Sequence, residues 1–455
     1  MSVLRDAVSP EFTAPVLIIG GGAAGLVAAL AAAGAGTAPV VLERDALPRG
    51  STALSAGLIP AAGTRWQKAL GIADDPAAFA ADIQRKAAQA ADPRSVAAVT
   101  QGAAPTLEWL ADSHGLDFSL VYDFDYPGHH QRRMHGLPTR AGGELMDALL
   151  AAVERAGVTL LTGATVRELH ADATDAVRAA TLTRPDGSTE LIGCDNLILA
   201  CSGYGGDPAL VAQHIPELAD AVYFGHAGNR GDALRWGQAM GAATRHLGGH
   251  QGHGSVAHPA GILVTWAVIM EGGFQVNQAG RRFWNEASGY SEAAAAVLAQ
   301  PGRIAWNIFD GRIAAVARQF EDFRQAEAHG AIVTAETPEA LAHRIGLPKL
   351  ELPPTGGMDC FGRDWSSTRH LAAPFHAVRV TGALFHTQGG LVVDEMARVL
   401  RQDGSALPNL FAAGGAACGV SGPLAAGYLS GNGLLTAVVL GRLAGLGAAA
   451  RATAG

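Results

Sequence analysis

The chain has no run of clustered Lys and Arg: 33 basic residues stand against 41 acidic ones, for a net charge of −8 over 455 residues. Nucleic acid or an anionic membrane surface would call for a basic patch, so neither is expected as a partner. Cysteine is scarce as well. Cys194, Cys201, Cys360 and Cys418 show neither a CxxC pair nor metal-ligand spacing, which argues against zinc and iron–sulfur sites and for reduced, buried thiols. Only 16% of residues are charged while 49% are hydrophobic, enough to fill a large core across two or three domains. The opening MSVLRDAVSPEF carries acids and no apolar signal core, so a cytoplasmic location is expected. Residues 16–42 are uncharged, but Pro39 and the glycines within them favour a buried strand–turn–helix–strand unit over a membrane span.

What is present starts with that unit. Val16-Leu17-Ile18-Ile19 runs into Gly20-Gly21-Gly22-Ala23-Ala24-Gly25, an alanine-rich helix follows, and Val40-Val41-Leu42 ends on Glu43, 18 residues beyond Gly25. Gly20, Gly22 and Gly25 let the backbone approach a pyrophosphate, the helix N-terminus offers unpaired N–H groups, and Glu43 can accept both ribose hydroxyls. An adenine dinucleotide is the expected ligand. No second strand–GxGxxG–helix unit occurs, which disfavours enzymes that carry a separate nicotinamide fold and makes flavin the better expectation.

Further along, Arg49 to Gly57 is a loop of small residues suited to passing beside a flat ring. Gly142 to Leu161 reads as an amphipathic helix ending near Gly157 and then a strand, Pro185-Asp186-Gly187 as a hairpin turn, and Leu197 to Ala200 as a buried strand closed by glycines. From about Arg245 to Pro374 the texture changes, and after Pro374 β and βα signals return, with a helix from Gly433 to Gly445. The expected architecture is α/β. A discontinuous Rossmann-like domain (1–244 and 375–455, a doubly wound sheet) carries an inserted α+β capping domain (245–374).

Four blocks together resemble the flavoprotein family that joins fumarate reductase and succinate dehydrogenase flavoprotein subunits, tricarballylate dehydrogenase and the 3-ketosteroid dehydrogenases. They are Gly20 to Glu43, the Gly50 to Gly63 loop with Thr64, the run Gly280-Arg281-Arg282-Phe283-Trp284-Asn285-Glu286, and Thr387 to Gly445. The resemblance implies FAD, a cap over the flavin, and redox chemistry on a carbon–carbon bond beside a carbonyl or carboxylate. It places the cofactor against Gly20, Gly22, Ala24, Gly25, Glu43, Arg44, Ser51, Thr52, Ser55, Gly57, Val166, Ala200, Gly203, Asp232, Gly414, Gly415, Ser430, Asn432 and Leu434. Members that attach FAD covalently use a histidine in the Ser51 to Gly57 region. None lies there, so noncovalent FAD is expected.

The departures from fumarate reductases carry most of the chemistry. Where those enzymes keep a proton-transferring arginine, four residues after the glutamate of RF-x-NE, this chain has Tyr290. Where they keep a carboxylate-binding arginine before a Gly-Asn pair, it has Tyr428 before Gly431-Asn432. Ketosteroid dehydrogenases carry tyrosines at both points. Against this, His386 matches a fumarate-type substrate histidine, and Thr265 and, less securely, His253 match fumarate-type positions.

Moving a proton at the α carbon and a hydride at the β carbon needs a proton-transfer group, for which Tyr290 is the candidate. It also needs donors at the carbonyl oxygen, for which Tyr428 is the candidate. A guanidinium fork suits a dicarboxylate, whereas a phenol suits a neutral ketone. Tyr290 can equally be an aromatic lid residue, and Tyr428 a packing residue against flavin. His386 either donates to substrate or ties its loop to the cofactor. Tyr126, His253, Thr265 and Gly431 are candidate substrate contacts, Tyr126 with a turn-anchoring alternative. The His246, His250, His253, His258 cluster lacks acids at ligand spacing, so no metal is expected. The expected function is α,β-desaturation of a ketone such as a 3-ketosteroid, or the reverse reduction. The alternative is fumarate- or tricarballylate-type chemistry on a small carboxylate. The external electron acceptor or donor is left open.

Overall fold

The computed structural model of the protein describes residues 1–122 and 126–454. They form two compact units: Met1–Leu210, Gly225–His250 and His386–Gly455 in one, Val211–Phe224 and Gln251–Phe385 in the other.

The first unit is built on a nine-stranded sheet. Thr13–Ile19 lies parallel to Pro39–Leu42, which lies parallel to Thr159–Leu161. On its other side it runs parallel to the end of Thr189–Leu199, which in turn pairs with Ala406–Ala412. These strands read as unbroken apolar runs because both faces are covered: Val16 to Ile19, Val40 to Leu42 and Leu197 to Leu199 are all buried. The crossover between the first two is the Ala23–Gly34 helix, as the glycine motif predicts. The start of Thr189–Leu199 instead pairs antiparallel with Val177–Thr183, across the expected Pro185-Asp186-Gly187 turn. There Gly187 has φ +85° and Arg184 N–H donates to the Ser188 carbonyl at 2.9 Å.

The last helix, Asn432–Ala454, is longer than the Gly433 to Gly445 expectation, because the stretch past Gly445, with Gly447 but no proline, is rich in alanine, the strongest helix former. It lies tightly on Ala23–Gly34. A methyl group at Gly441 would come 2.5 Å from the Ala24 carbonyl oxygen, and one at Gly445 would come 2.2 Å from that of Ala28. By length and composition this helix could cross a membrane, a possibility the sequence reading raised only for residues 16–42; 61% of its most apolar window is buried inside the fold.

The second unit centres on a seven-stranded sheet whose longest strand is Phe375–Thr387. Residues 375–381 pair antiparallel with Ile304–Asp310, and Ala383 and Leu384 pair parallel with Val222–Tyr223. Alternation by two sends Phe309, Val378 and Val380 into one core, with Val264, Val268 and Phe323. It sends Ile308, Phe375 and Ala377 into another, with Leu341 and Trp365. Residues 211–224 and 375–385, which the sequence boundaries put with the nucleotide-binding portion, therefore lie in the second unit: their pairing partners are there.

Candidate functional site

In the first unit the glycine turn has the geometry its spacing implies. Gly20 has φ +110°, and a methyl group at Gly25 would sit 1.9 Å from the Gly20 carbonyl oxygen, so only glycine permits this closure. Gly22 caps the following helix without a side-chain hydrogen bond of its own, so an anion can be met by backbone N–H groups of the first turn other than that of Ala23. Glu43 lies at the tip of the turn, where Oε2 accepts from Gly21 N–H at 2.7 Å and Oε1 from Asp45 N–H at 2.9 Å. Ala164 N–H donates to the Glu43 backbone carbonyl at 2.8 Å, which straps the approach to Val166 to the same corner.

The other expected cofactor residues converge on this unit. Thr52 Oγ1 accepts from Ala23 N–H at 3.2 Å. Ser51 Oγ accepts from His226 N–H and from Asn229 Nδ2. Ser55 Oγ bonds the Thr52 carbonyl and receives Gly57 N–H. Arg44 pairs with Asp232 at 2.7 Å. Ala200 continues the sheet through its N–H to the Ile19 carbonyl. Gly203 and Gly415 pack so closely that a methyl group on Gly415 would lie 2.7 Å from Gly203 N, with Gly414 beside Ala24. Ser430, Asn432 and Leu434 lie at the start of the last helix, and the Asn432 carboxamide oxygen is a buried acceptor with no partner among the described residues. A helix terminus capped only by glycine, a carboxylate at the ribose position and a backbone without room for side chains fit an adenine dinucleotide.

His386 and Tyr428 come together in the same unit, their rings edge to face with centroids 5.4 Å apart. Burial pushes the His386 imidazole down to about 4, against the opposing Thr387 carbonyl. Burial also pushes the Tyr428 phenol above its ordinary value, opposed by the backbone N–H groups of Gly433 and Gly431. At neutral pH the pair is therefore an uncharged imidazole and an uncharged phenol. Gly431 adopts φ +86° against Pro60, and Met134 borders it; Tyr126 packs with Leu58, Val121 and that same Met134.

In the second unit Tyr290 starts the Tyr290–Leu298 helix and stacks on His253 at 5.1 Å, 21° between planes. Trp266 meets His253 edge-on at 5.7 Å, and Phe385 lies at 5.5 Å. His253 is pushed down to about 3 by burial, and its Nδ1 accepts Ser255 N–H at 3.2 Å, so the hydrogen of the neutral ring sits on Nε2. Thr265 turns the chain into this cluster, with Oγ1 accepting from Ala267 N–H.

The RF-x-NE run works behind Tyr290. Glu286, fully buried, accepts from Arg282, from Arg363 at 3.2 Å and from Gln275 N–H at 3.0 Å, while Arg282 also pairs with Asp359. Both guanidiniums are thus matched by carboxylates. Sequence reasoning missed Arg363 and Asp359, which lie 77 and 73 residues past Glu286 with no local signal. It also missed Gln388, although the alternation His386-Thr387-Gln388 puts its side chain on the same face as His386. Among the described residues no group of three or more His, Cys, Asp or Glu side chains is placed to hold a metal ion.

Residues 15–434 match the family described as FAD binding domain. The chain is 29% identical over 460 residues to the protein named "Probable fumarate reductase Ifc3" of Shewanella frigidimarina, covering 98% of this chain and 76% of that one. It is 25% identical over 523 residues to the 4-oxocyclohexanecarboxylate 2-dehydrogenase of Sinomonas cyclohexanicum, covering 92% and 90%. Among solved structures it is similar to the open conformation of a flavocytochrome c3 fumarate reductase, with TM-score 0.82, 28% identity and coverage of 98% and 79%. It shares its fold with the 3-ketosteroid Δ4-(5α)-dehydrogenase of Rhodococcus jostii, with TM-score 0.76, 24% identity and coverage of 98% and 99%.

Proposed function

The chain belongs to the FAD binding domain family, and on that premise we propose that its substrate is a ketone, desaturated or reduced at the carbon–carbon bond next to the carbonyl. The protein is an FAD-dependent oxidoreductase acting on CH–CH bonds. When bound, FAD supplies hydride transfer at N5, and in this reading it is held noncovalently by Glu43, the Gly20 to Gly25 turn and the start of the last helix.

The observation that carries the ketone reading is the uncharged pair His386 and Tyr428. Negative charge grows on the carbonyl oxygen in the transition state, and two neutral donors stabilise it there without binding a ground-state carboxylate strongly. Tyr290 transfers the proton at the α carbon, and His253, Trp266 and Phe385 supply apolar, aromatic surface for a ring system. A phenol is a ready acid at neutral pH, so the residues favour reduction as the easier direction. Support also comes from the relative named for a cyclic oxo acid. In this reading the last helix is a core helix, the substrate is a small molecule, and the enzyme is cytoplasmic.

The second reading is a small carboxylate. It is favoured by the relative named as a fumarate reductase, together with His386, Thr265 and His253. Anaerobic titration separates the two. A 3-ketosteroid or substituted cyclohexanone should bleach the oxidised flavin, or the matching enone should reoxidise the reduced flavin, while succinate, tricarballylate and fumarate do neither. The opposite pattern overturns the ketone reading. Tyr428→Phe should keep its FAD and lower kcat about 100-fold.

A further inference from the structure

His386 is joined through Gln388 and Ser421, which the chemistry above does not use, to Asn432 at the start of the last helix. Asn432 Nδ2 donates to Ser421 Oγ at 3.0 Å, Ser421 Oγ lies 2.6 Å from Gln388 Oε1, and Gln388 Nε2 lies 3.1 Å from His386 Nδ1. Ser421 and Asn432 are 0% exposed and Gln388 is 5% exposed, so water is not at hand to reverse any link. The links are directional. An amide nitrogen has only hydrogens to give, so Ser421 accepts from Asn432 and must spend its single hydrogen on Gln388 Oε1. The Gln388 amide is then fixed with its NH₂ toward the imidazole, and Nδ1 can only accept.

We propose that Gln388, locked by Ser421 and Asn432, is a positioning residue that sets the tautomer of His386 with its hydrogen on Nε2, so that this ring presents an N–H donor. The proposal rests on the reading of His386 as a group that holds the substrate oxygen. An acceptor nitrogen facing that oxygen would repel the charge that a donor stabilises. His253 is set the same way, its Nδ1 accepting from Ser255 N–H.

The competing arrangement has the amides turned the other way, so that Nδ1 carries the hydrogen and donates it to the Gln388 carboxamide oxygen. Long-range ¹H–¹⁵N correlation spectra of the FAD-loaded enzyme carrying ¹⁵N-histidine distinguish the two, with the His386 signals assigned by their loss in His386→Gln. The Nε2–H tautomer is expected at pH 7, and Nδ1–H overturns the proposal.

Gln388→Glu keeps the shape but offers only acceptors. It should move the hydrogen to Nδ1, raise the ionisation of His386 by at least about one pH unit, and lower kcat about 10-fold with KM within about twofold. An unchanged tautomer and ionisation in that variant also overturns the proposal. If Gln388→Glu does not fold, Ser421→Ala takes its place: it frees the Gln388 amide to turn, so mixed tautomers are expected and a single unchanged one refutes. The spectra need no substrate. Failure of the ketone reading therefore shows as absent bleaching with the Nε2–H tautomer intact, and failure of this proposal as the wrong tautomer.

Discussion

Acid should unfold this protein before it titrates the candidate site. Burial holds His129, His135 and His386 down to about 4 and His253 to about 3, against an ordinary 6.5. The sign follows from linkage: below pH 6.5 the unfolded chain takes up protons that the folded chain refuses. Stability therefore falls as pH falls, and it stops falling from this source only near the folded values. At pH 5 each of the four histidines contributes a loss of about 2 kcal/mol, about 8 in all, which rivals the whole stability of about 5–15 kcal/mol expected for a domain. Carboxylates with lowered values, such as Asp92, act with the same sign, but their window opens below 3.8, outside this range. The assay is urea denaturation of the FAD-loaded enzyme, followed by tryptophan fluorescence from pH 7.5 to 5. Stability should decline with a slope that approaches four protons, about 5 kcal/mol per pH unit. Initial rates measured before unfolding at pH 5.5 should remain near their neutral value, because His386 is still uncharged there. A stability curve flat between pH 6.5 and 5, or a slope under two protons, refutes the assignment of these histidines as neutral in the folded protein.

Two perturbations test the packing that positions the site. Gly445→Val forces a side chain into the Ala28 carbonyl and pushes the last helix from its neighbour; it should cost about 3 kcal/mol in denaturant titration and lower FAD retention, and an unchanged midpoint would show that the helices are not in register as described. Glu286→Gln removes the carboxylate shared by Arg282 and Arg363 and leaves two buried guanidiniums undercompensated; a loss of about 3–5 kcal/mol in thermal unfolding is expected, and near-neutrality would mean the pair is solvated.

How much of this was legible before any coordinates differs by the range of the interaction. Gly20 to Glu43 could be read outright, because a strand, a turn, a helix and a second strand are all local and each glycine answers a local steric demand. Pro185-Asp186-Gly187 was legible for the same reason. The unit boundaries were not: Phe375 onward looks like a return to the first sheet, yet its strand pairs with Ile304–Asp310, and pairing register is decided by partners 65 or more residues away. The extent of the last helix was missed for a milder reason, since Gly445 and Gly447 read as stop signals while the alanines around them carry the helix on.

The polar partners show the same division. Gln388 had a local signal, the two-residue alternation that puts it beside His386, whereas Ser421 and Asn432 could be tied to it only by the fold. Their placement explains why the tyrosine and histidine positions read from resemblance do not settle a substrate by themselves. A histidine is a donor or an acceptor according to what holds its other nitrogen, and a guanidinium is free or matched according to whether a carboxylate such as Glu286 reaches it. The same residue types on the same fold can thus face a carboxylate or a ketone, and the groups one layer behind them decide which.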